Sequence, residues 1–100
     1  MDHSLTEVDN TRTLRVQGDL DAISSPDLRS ALDDLTSRHG STIRVDLSEV
    51  KLLDSSGVGF LVSLYKRTRA NGGSVSFVGV VAQPLSMFKL LHLDRVFALQ

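Results

Sequence analysis

The hydrophobic period switches between two and 3.6 several times along the chain, always in the same order, and this constrains the fold most. Thr13 to Asp21 alternates, with Leu14, Val16, Gly18 and Leu20 on one face and Arg15, Gln17, Asp19 and Asp21 on the other. That pattern predicts a strand with one wet or site-lining face. Weaker alternation from Ser4 to Val8 predicts a short edge strand before it. Ser25-Pro26 then supplies an N-cap and a proline at the first helical position. Leu28, Ala31, Leu32 and Leu35 follow at helical spacing, with Gly40 as the stop. Ile43 to Leu47 is rich in β-branched residues, and Val50 to Leu53 leads from it into Asp54-Ser55-Ser56-Gly57. A second helix is expected from there, with Val58, Leu61, Val62 and Tyr65 as its apolar stripe. Lys66, Arg67 and Arg69 fall near its end, where cations suit the helix dipole, and Asn71-Gly72-Gly73 terminates it. Val75 to Val81 reads as a strand. Gln83-Pro84 opens a third helix through Leu91, with Leu85, Phe88 and either Leu90 or Leu91 inward. Val96 to Leu99 forms a short last strand or a helical end.

The order is β-β-α-β-α-β-α with a final short strand. Alternation after an initial hairpin-like pair calls for an α/β fold: a mixed, largely parallel sheet with right-handed crossovers. Sites in such sheets collect in loops at the carboxyl ends of strands. Asp19, Asp21, Asp54 and Ser55 all fall near such ends.

Composition bounds the function classes. The chain has 100 residues, enough for one domain, and no cysteine. A disulfide scaffold, a thiolate metal site and a cysteine nucleophile are thereby excluded. A net charge of −1 supplies no basic field for nucleic acid or an anionic membrane. Four Phe, one Tyr and no Trp make a base-stacking surface a poor expectation. The apolar runs are far short of a membrane span, and Met1-Asp2-His3-Ser4 does not resemble a signal peptide. The expectation is a cytoplasmic protein.

The segment Leu53-Asp54-Ser55-Ser56-Gly57-Val58-Gly59 is the most informative one. In the structural reading it is a capped helix start, because aspartate and serine accept hydrogen bonds from the free amides of a first turn. In the functional reading it carries a regulated hydroxyl: a serine at a helix mouth is accessible to a kinase, and the helix N-terminus tolerates a phosphate. No catalytic set accompanies it. Gly57-Val58-Gly59 has Val62 where a dinucleotide fingerprint needs glycine, and His3, His39 and His92 are scattered. No metal or cofactor site is expected. An acidic Mg²⁺ pocket of the receiver type, built on Asp19, Asp21 and Asp54, conflicts with the two opening strands and with the lack of a lysine after Val75 to Val81.

Taken with four further stretches, this segment resembles the STAS domain of stand-alone anti-sigma-factor antagonists. The others are Gly18-Asp19-Leu20-Asp21, Ile43 to Ser48 with its Asp-Leu-Ser ending, Asn71-Gly72-Gly73, and Leu90 to Phe97. In the last, His92 stands where the pattern carries a small residue or glycine. The ordered set covers nearly the whole chain, so residues 1–100 are expected to form a single STAS-like domain. The resemblance implies a mixed four- to five-stranded sheet with helices packed mainly on one side. It implies phosphorylation at Ser55, with Ser56 the second choice, and partner contact through Asp21, Asp54, Ser56, Gly57 and Val58. It implies binding to an anti-sigma factor that is a serine kinase of histidine-kinase-like ATPase fold, release on phosphorylation, and resetting by a serine phosphatase. The state expected is a monomer or weak dimer, with no enzyme activity. Two alternatives keep the fold. One is a constitutive subunit of a larger assembly, such as a lipid-transport complex or stress-sensing scaffold, with Ser55 only a cap. The other is a partner switch with a non-transcriptional output such as biofilm formation.

Overall fold

The computed structural model describes residues 2–100. Strands β1 (Asp2–Val8) and β2 (Thr11–Leu20) pair antiparallel, with the whole of β1 set against Thr11–Gln17. Their two-residue connection, Asp9-Asn10, has both φ angles positive, at 50° and 69°. This is the primed-turn geometry whose twist matches a hairpin. The polypeptide then passes through a 3₁₀ turn (Ser25–Leu28) into α1 (Arg29–Leu35), β3 (Thr42–Leu53), α2 (Ser55–Ala70), β4 (Ser74–Val78) and α3 (Ala82–Leu90). A second 3₁₀ turn (Leu93–Arg95) precedes β5 (Ala98–Leu99). The five strands lie in the order β1-β2-β3-β4-β5, parallel from β2 onward. The mixed sheet expected from the alternating periods is the one observed.

Leu14, Val16 and Leu20 of β2, Ile43, Val45 and Leu47 of β3, and Phe77 of β4 are fully buried on one face. Leu28 and Leu35, Leu61 and Leu64, and Phe88 cover them from the helical side and are also fully buried. Each such side chain contributes on the order of 1.5–3 kcal/mol on burial. The opposite face carries exposed side chains such as Arg15 and Arg44, with Arg15 paired to Glu49 at 3.1 Å. Phe77 and Phe97 stack with ring centroids 4.5 Å apart, and Phe88 meets both edge-on at 5.7 and 5.5 Å. Phe97 thereby pins the C-terminal segment to the sheet.

Several sequence expectations change in detail. The β4 strand ends at Val78, not Val81, because Gly79 turns the backbone with φ +69° directly over Ser48, whose Cβ lies 2.6 Å from where a Gly79 Cβ would sit. Strand β3 runs unbroken to Leu53, since β2 pairs with it as far as Leu20. The first helix opens as a 3₁₀ turn that starts at Ser25, and α1 ends at Leu35, where Thr36 Oγ1 donates to Leu32 O at 2.8 Å. Gly18 lies exposed at φ +96°, beside a register shift that takes it off the buried face. On α2 the apolar stripe is wider than expected: Phe60 and Leu64 are buried beside Leu61, while Val58, Val62 and Tyr65 are half-buried. Neither Leu90 nor Leu91 turns inward. They are 73% and 46% exposed, because α3 is anchored by Pro84 and Phe88 and ends before His92.

His92 sits in the left-handed region at φ 60°. A Cβ strains that conformation, and glycine does not. His92→Gly is therefore expected to raise stability by about 0.5–1 kcal/mol in urea denaturation, despite the added freedom of the unfolded chain.

Candidate functional site

The carboxyl ends of β2 and β3 meet the start of α2, and the joint is made by hydrogen bonds. Asp54 N–H donates to Leu20 O at 3.2 Å. Asp54 is extended (φ −105°, ψ −173°) and its Oδ1 accepts from Gly57 N–H at 3.0 Å, so it is the N-cap of α2. Its other oxygen, Oδ2, accepts from Ala22 N–H at 3.3 Å. Asp21 Oδ1 accepts from the next two amides, Ile23 and Ser24, at 3.0 Å each. Three consecutive amides of the loop after β2 are thus held by two carboxylates, one from each strand end. Ser24 Oγ completes the loop by accepting from Asp21 N–H and donating to Asp19 O, at 3.0 and 2.6 Å.

These hydrogen bonds favour the ionised form of Asp21. The amide of Ser24, with further help from Ile23 N–H, holds its carboxyl below the ordinary carboxylate value. A depressed folded-state pKa gives stabilisation that is present above the unfolded value and lost as pH falls through the folded one. Asp21→Asn is therefore expected to remove part of the acid dependence of stability below about pH 4. Denaturation midpoints of both proteins from pH 5 to pH 2 check this: the curves should converge in acid.

Two further contacts hold the joint in place. Gln83, at the start of α3, accepts from Leu53 N–H through Oε1 at 2.7 Å and donates to Leu53 O through Nε2 at 2.9 Å. The side chain acts as a one-residue strand where β3 has outrun β4. Gly57 is buried, and a Cβ placed on it would lie 2.2 Å from Leu20 O and 2.7 Å from Leu53 Cδ1. The close approach that glycine permits at this position is thus made within the chain.

Ser55 is the first residue of α2 and its side chain is exposed. Ser56 is half-buried and lines a groove between α1 and α2, while Val58 is half-buried against the core. Asp21 and Asp54 meet on one loop, whereas Asp19 is exposed and takes part through its backbone oxygen. Around this end of the sheet lie three exposed apolar side chains that sequence reasoning passed over: Ile23 at 87%, Leu52 at 45% and Val81 at 56%. Ile23 carried a readable signal, since an isoleucine between Asp21-Ala22 and Ser24-Ser25-Pro26 lies outside both neighbouring apolar periods. Leu52 and Val81 read as strand interior and carried none.

Comparison with known proteins agrees with this fold. The anti-sigma-B factor antagonist of Bacillus subtilis is 28% identical over 88 residues, covering 88% of this chain and 80% of that protein. An anti-sigma factor antagonist from Mycobacterium paratuberculosis superposes with a TM-score of 0.87 at 23% identity, over 98% of this chain and 83% of the other. The Bacillus cell fate determinant SpoIIAA in its phosphorylated form gives 0.76 at 20%, over 99% and 91%. At these identities the two structures establish the fold. A family model described as "Mlab, STAS domain" matches residues 3–100, and with the sheet order and the capped Asp54-Ser55-Ser56-Gly57 joint in view, the chain belongs to the STAS-domain family.

Proposed function

We propose that this protein is an anti-sigma-factor antagonist working by a phosphorylation-controlled partner switch. With Ser55 unphosphorylated it binds an anti-sigma factor that is a serine kinase of histidine-kinase-like ATPase fold. Phosphorylation of Ser55 releases it, and a serine phosphatase restores the hydroxyl. The reading assigns a regulatory, cytoplasmic binding role to a monomer or weak dimer.

One observation carries it: at a joint where Asp54 and Gly57 are committed to internal contacts, the Ser55 side chain stands exposed. No helix among the described residues is long and apolar enough to cross a membrane. Asp21 and Asp54 hold the loop beside Ser55, and Ile23, Leu52 and Val81 offer the apolar contact a partner buries. Ser56 and Val58 lie on the same first turns of α2, and Gly57 keeps those turns close to Leu20. The names of the Bacillus subtilis relative and of the SpoIIAA structure support the role and the modification.

The test is a pull-down from the native cell lysate with Ser55→Ala and Ser55→Asp baits, read by mass spectrometry. Capture of a serine kinase by the alanine bait only is the expected result. Equal capture by both baits makes Ser55 a structural residue and leaves the constitutive-subunit reading in its place.

A further inference from the structure

The sheet has two outer strands, and they are built differently. β5 is two residues long and offers little backbone to pair with. β1 is seven residues long, pairs with β2 without a register shift and carries no proline, lysine or glycine. Short strands, bulges, prolines and lysines guard sheet edges against pairing with another chain, and β1 has none of these guards.

The hairpin fixes which groups β1 presents at its outer edge. Asp9-Asn10 is a two-residue primed turn, so Val8 and Thr11 form the hydrogen-bonded pair that closes it. Hydrogen-bonded and non-hydrogen-bonded pairs alternate from there. Thr6 and Ser4 therefore direct their amides and carbonyls to β2, while His3, Leu5 and Glu7 direct theirs outward. All five side chains are exposed.

That row is complementary to itself when reversed. In an antiparallel pairing of two β1 strands about a two-fold axis at Leu5, Leu5 faces Leu5, Ser4 faces Thr6 and His3 faces Glu7. Each pair is of a stabilising kind: apolar on apolar, hydroxyl on hydroxyl, imidazole donor on carboxylate. Glu7 already meets Arg38 Nη1 at 3.0 Å and Arg12 Nε at 3.6 Å, both through Oε1, so Oε2 is the oxygen that a facing imidazole would meet. Moving the axis to Ser4 or Thr6 sets Leu5 against His3 or Glu7 instead, and the complementarity is lost.

We infer that a second copy of this chain docks on the β1 edge, in an antiparallel β1–β1 pairing centred on Leu5 that joins two five-stranded sheets into one. Backbone hydrogen bonds give such a contact its strength, and the self-complementary order of side chains gives it a register and a two-fold axis. β1 reaches only as far as Gln17, short of the Leu20–Asp54 contact, so the pairing leaves the Ser55 end of each copy uncovered. Of a monomer and a weak dimer it selects the dimer, and it stands apart from the Ser55 switch, because its test needs no kinase.

The test is sedimentation velocity of the full chain up to millimolar concentration, with cysteine cross-linking to read the register; the chain has no cysteine of its own. The expected result is a reversible dimer and nothing larger. The two Leu5 residues would form a hydrogen-bonded pair with Cα atoms about 5.5 Å apart, inside the range a disulfide spans. Leu5→Cys should therefore give a disulfide-linked dimer on mild oxidation. Ser4→Cys and Thr6→Cys should cross-link when mixed and not singly. Leu5→Lys sets like charges opposite each other at an exposed position. It should raise the dimer dissociation constant at least tenfold with amide dispersion unchanged, and mixing it with Leu5→Glu should restore the dimer. Four results each overturn the inference: a chain that stays monomeric at millimolar concentration or grows past a dimer, no cross-link with Leu5→Cys, Ser4→Cys cross-linking by itself, or a Leu5→Lys protein that dimerises like the parent.

Discussion

Gly57→Ala is expected to cost about 2–3 kcal/mol, while Gly59→Ala, two residues away in the same helix, is expected to stabilise by about 0.5–1 kcal/mol. Both changes add one methyl group and both remove a helical glycine. They differ in what that methyl meets. At Gly57 it would lie 2.2 Å from Leu20 O and 2.7 Å from Leu53 Cδ1; at Gly59 it meets nothing within 4 Å. Leu20 O already accepts from Asp54 N–H, so it cannot retreat without lengthening that bond. Overpacking of this kind typically costs 1–3 kcal/mol, and the gain in helix propensity offsets part of it. In a 100-residue domain the loss corresponds to a fall in melting temperature of roughly 10–20 °C, a large share of total stability. Thermal denaturation of both variants, with the amide shifts of Ala22 and Ser24 as a local readout, checks the pair. If Gly57→Ala melts no lower than the parent, the β2–α2 contact does not set the joint.

The same residues show how much the sequence reveals and where it stops. The alternation of β2 and the helical spacing of Leu28, Ala31, Leu32 and Leu35 are local patterns, and they read correctly because burial acts face by face. Asp54 as a helix cap was legible for the same reason: its partner, Gly57 N–H, is three residues away. The contacts that build the site are not local. Asp54 reaches Ala22 across 32 positions, and Gln83 pairs with Leu53 across 30. No periodicity encodes either one, since each depends on strand order. Arg12 is a similar case. It occupies an inward position of β2, 8% exposed, and bonds Asp34 Oδ2 at 2.7 Å and Asp34 O at 3.2 Å. Alternation places it on the buried face, but only the fold supplies the carboxylate that makes this tolerable. The outward Leu90 and Leu91 fail for a related reason: apolar character in a short amphipathic helix does not say which side the sheet will take.

A phosphoserine at position 55 is expected to weaken partner binding by more than a hundredfold, with little change in the structure of the domain. The added phosphate brings about −1.5 to −2 charge near neutral pH. It would sit at the N-terminus of α2, where the helix dipole favours an anion by only about 0.3–1 kcal/mol. The neighbouring carboxylates already have partners: Asp54 is bonded to Gly57 and Ala22, and Asp21 to Ile23 and Ser24. The domain can therefore hold the modification without rearranging. A partner shaped to the neutral hydroxyl cannot, because it would have to desolvate the phosphate beside two fixed carboxylates. Like-charge contact and desolvation at an interface cost several kcal/mol, and about 3 kcal/mol already exceeds a hundredfold in dissociation constant. Calorimetry of the kinase captured by the Ser55→Ala bait, against wild type, the Ser55-phosphorylated protein and Ser55→Asp, measures the effect. Ser55→Asp should lose less than the phosphoserine, since it carries a single charge closer to the backbone. Backbone shifts between the free and phosphorylated forms should stay within residues 20–24 and 52–59. Shifts spread through β1, β4 or α3 would replace the local electrostatic switch with a conformational one, and unchanged affinity would remove Ser55 from the switch altogether.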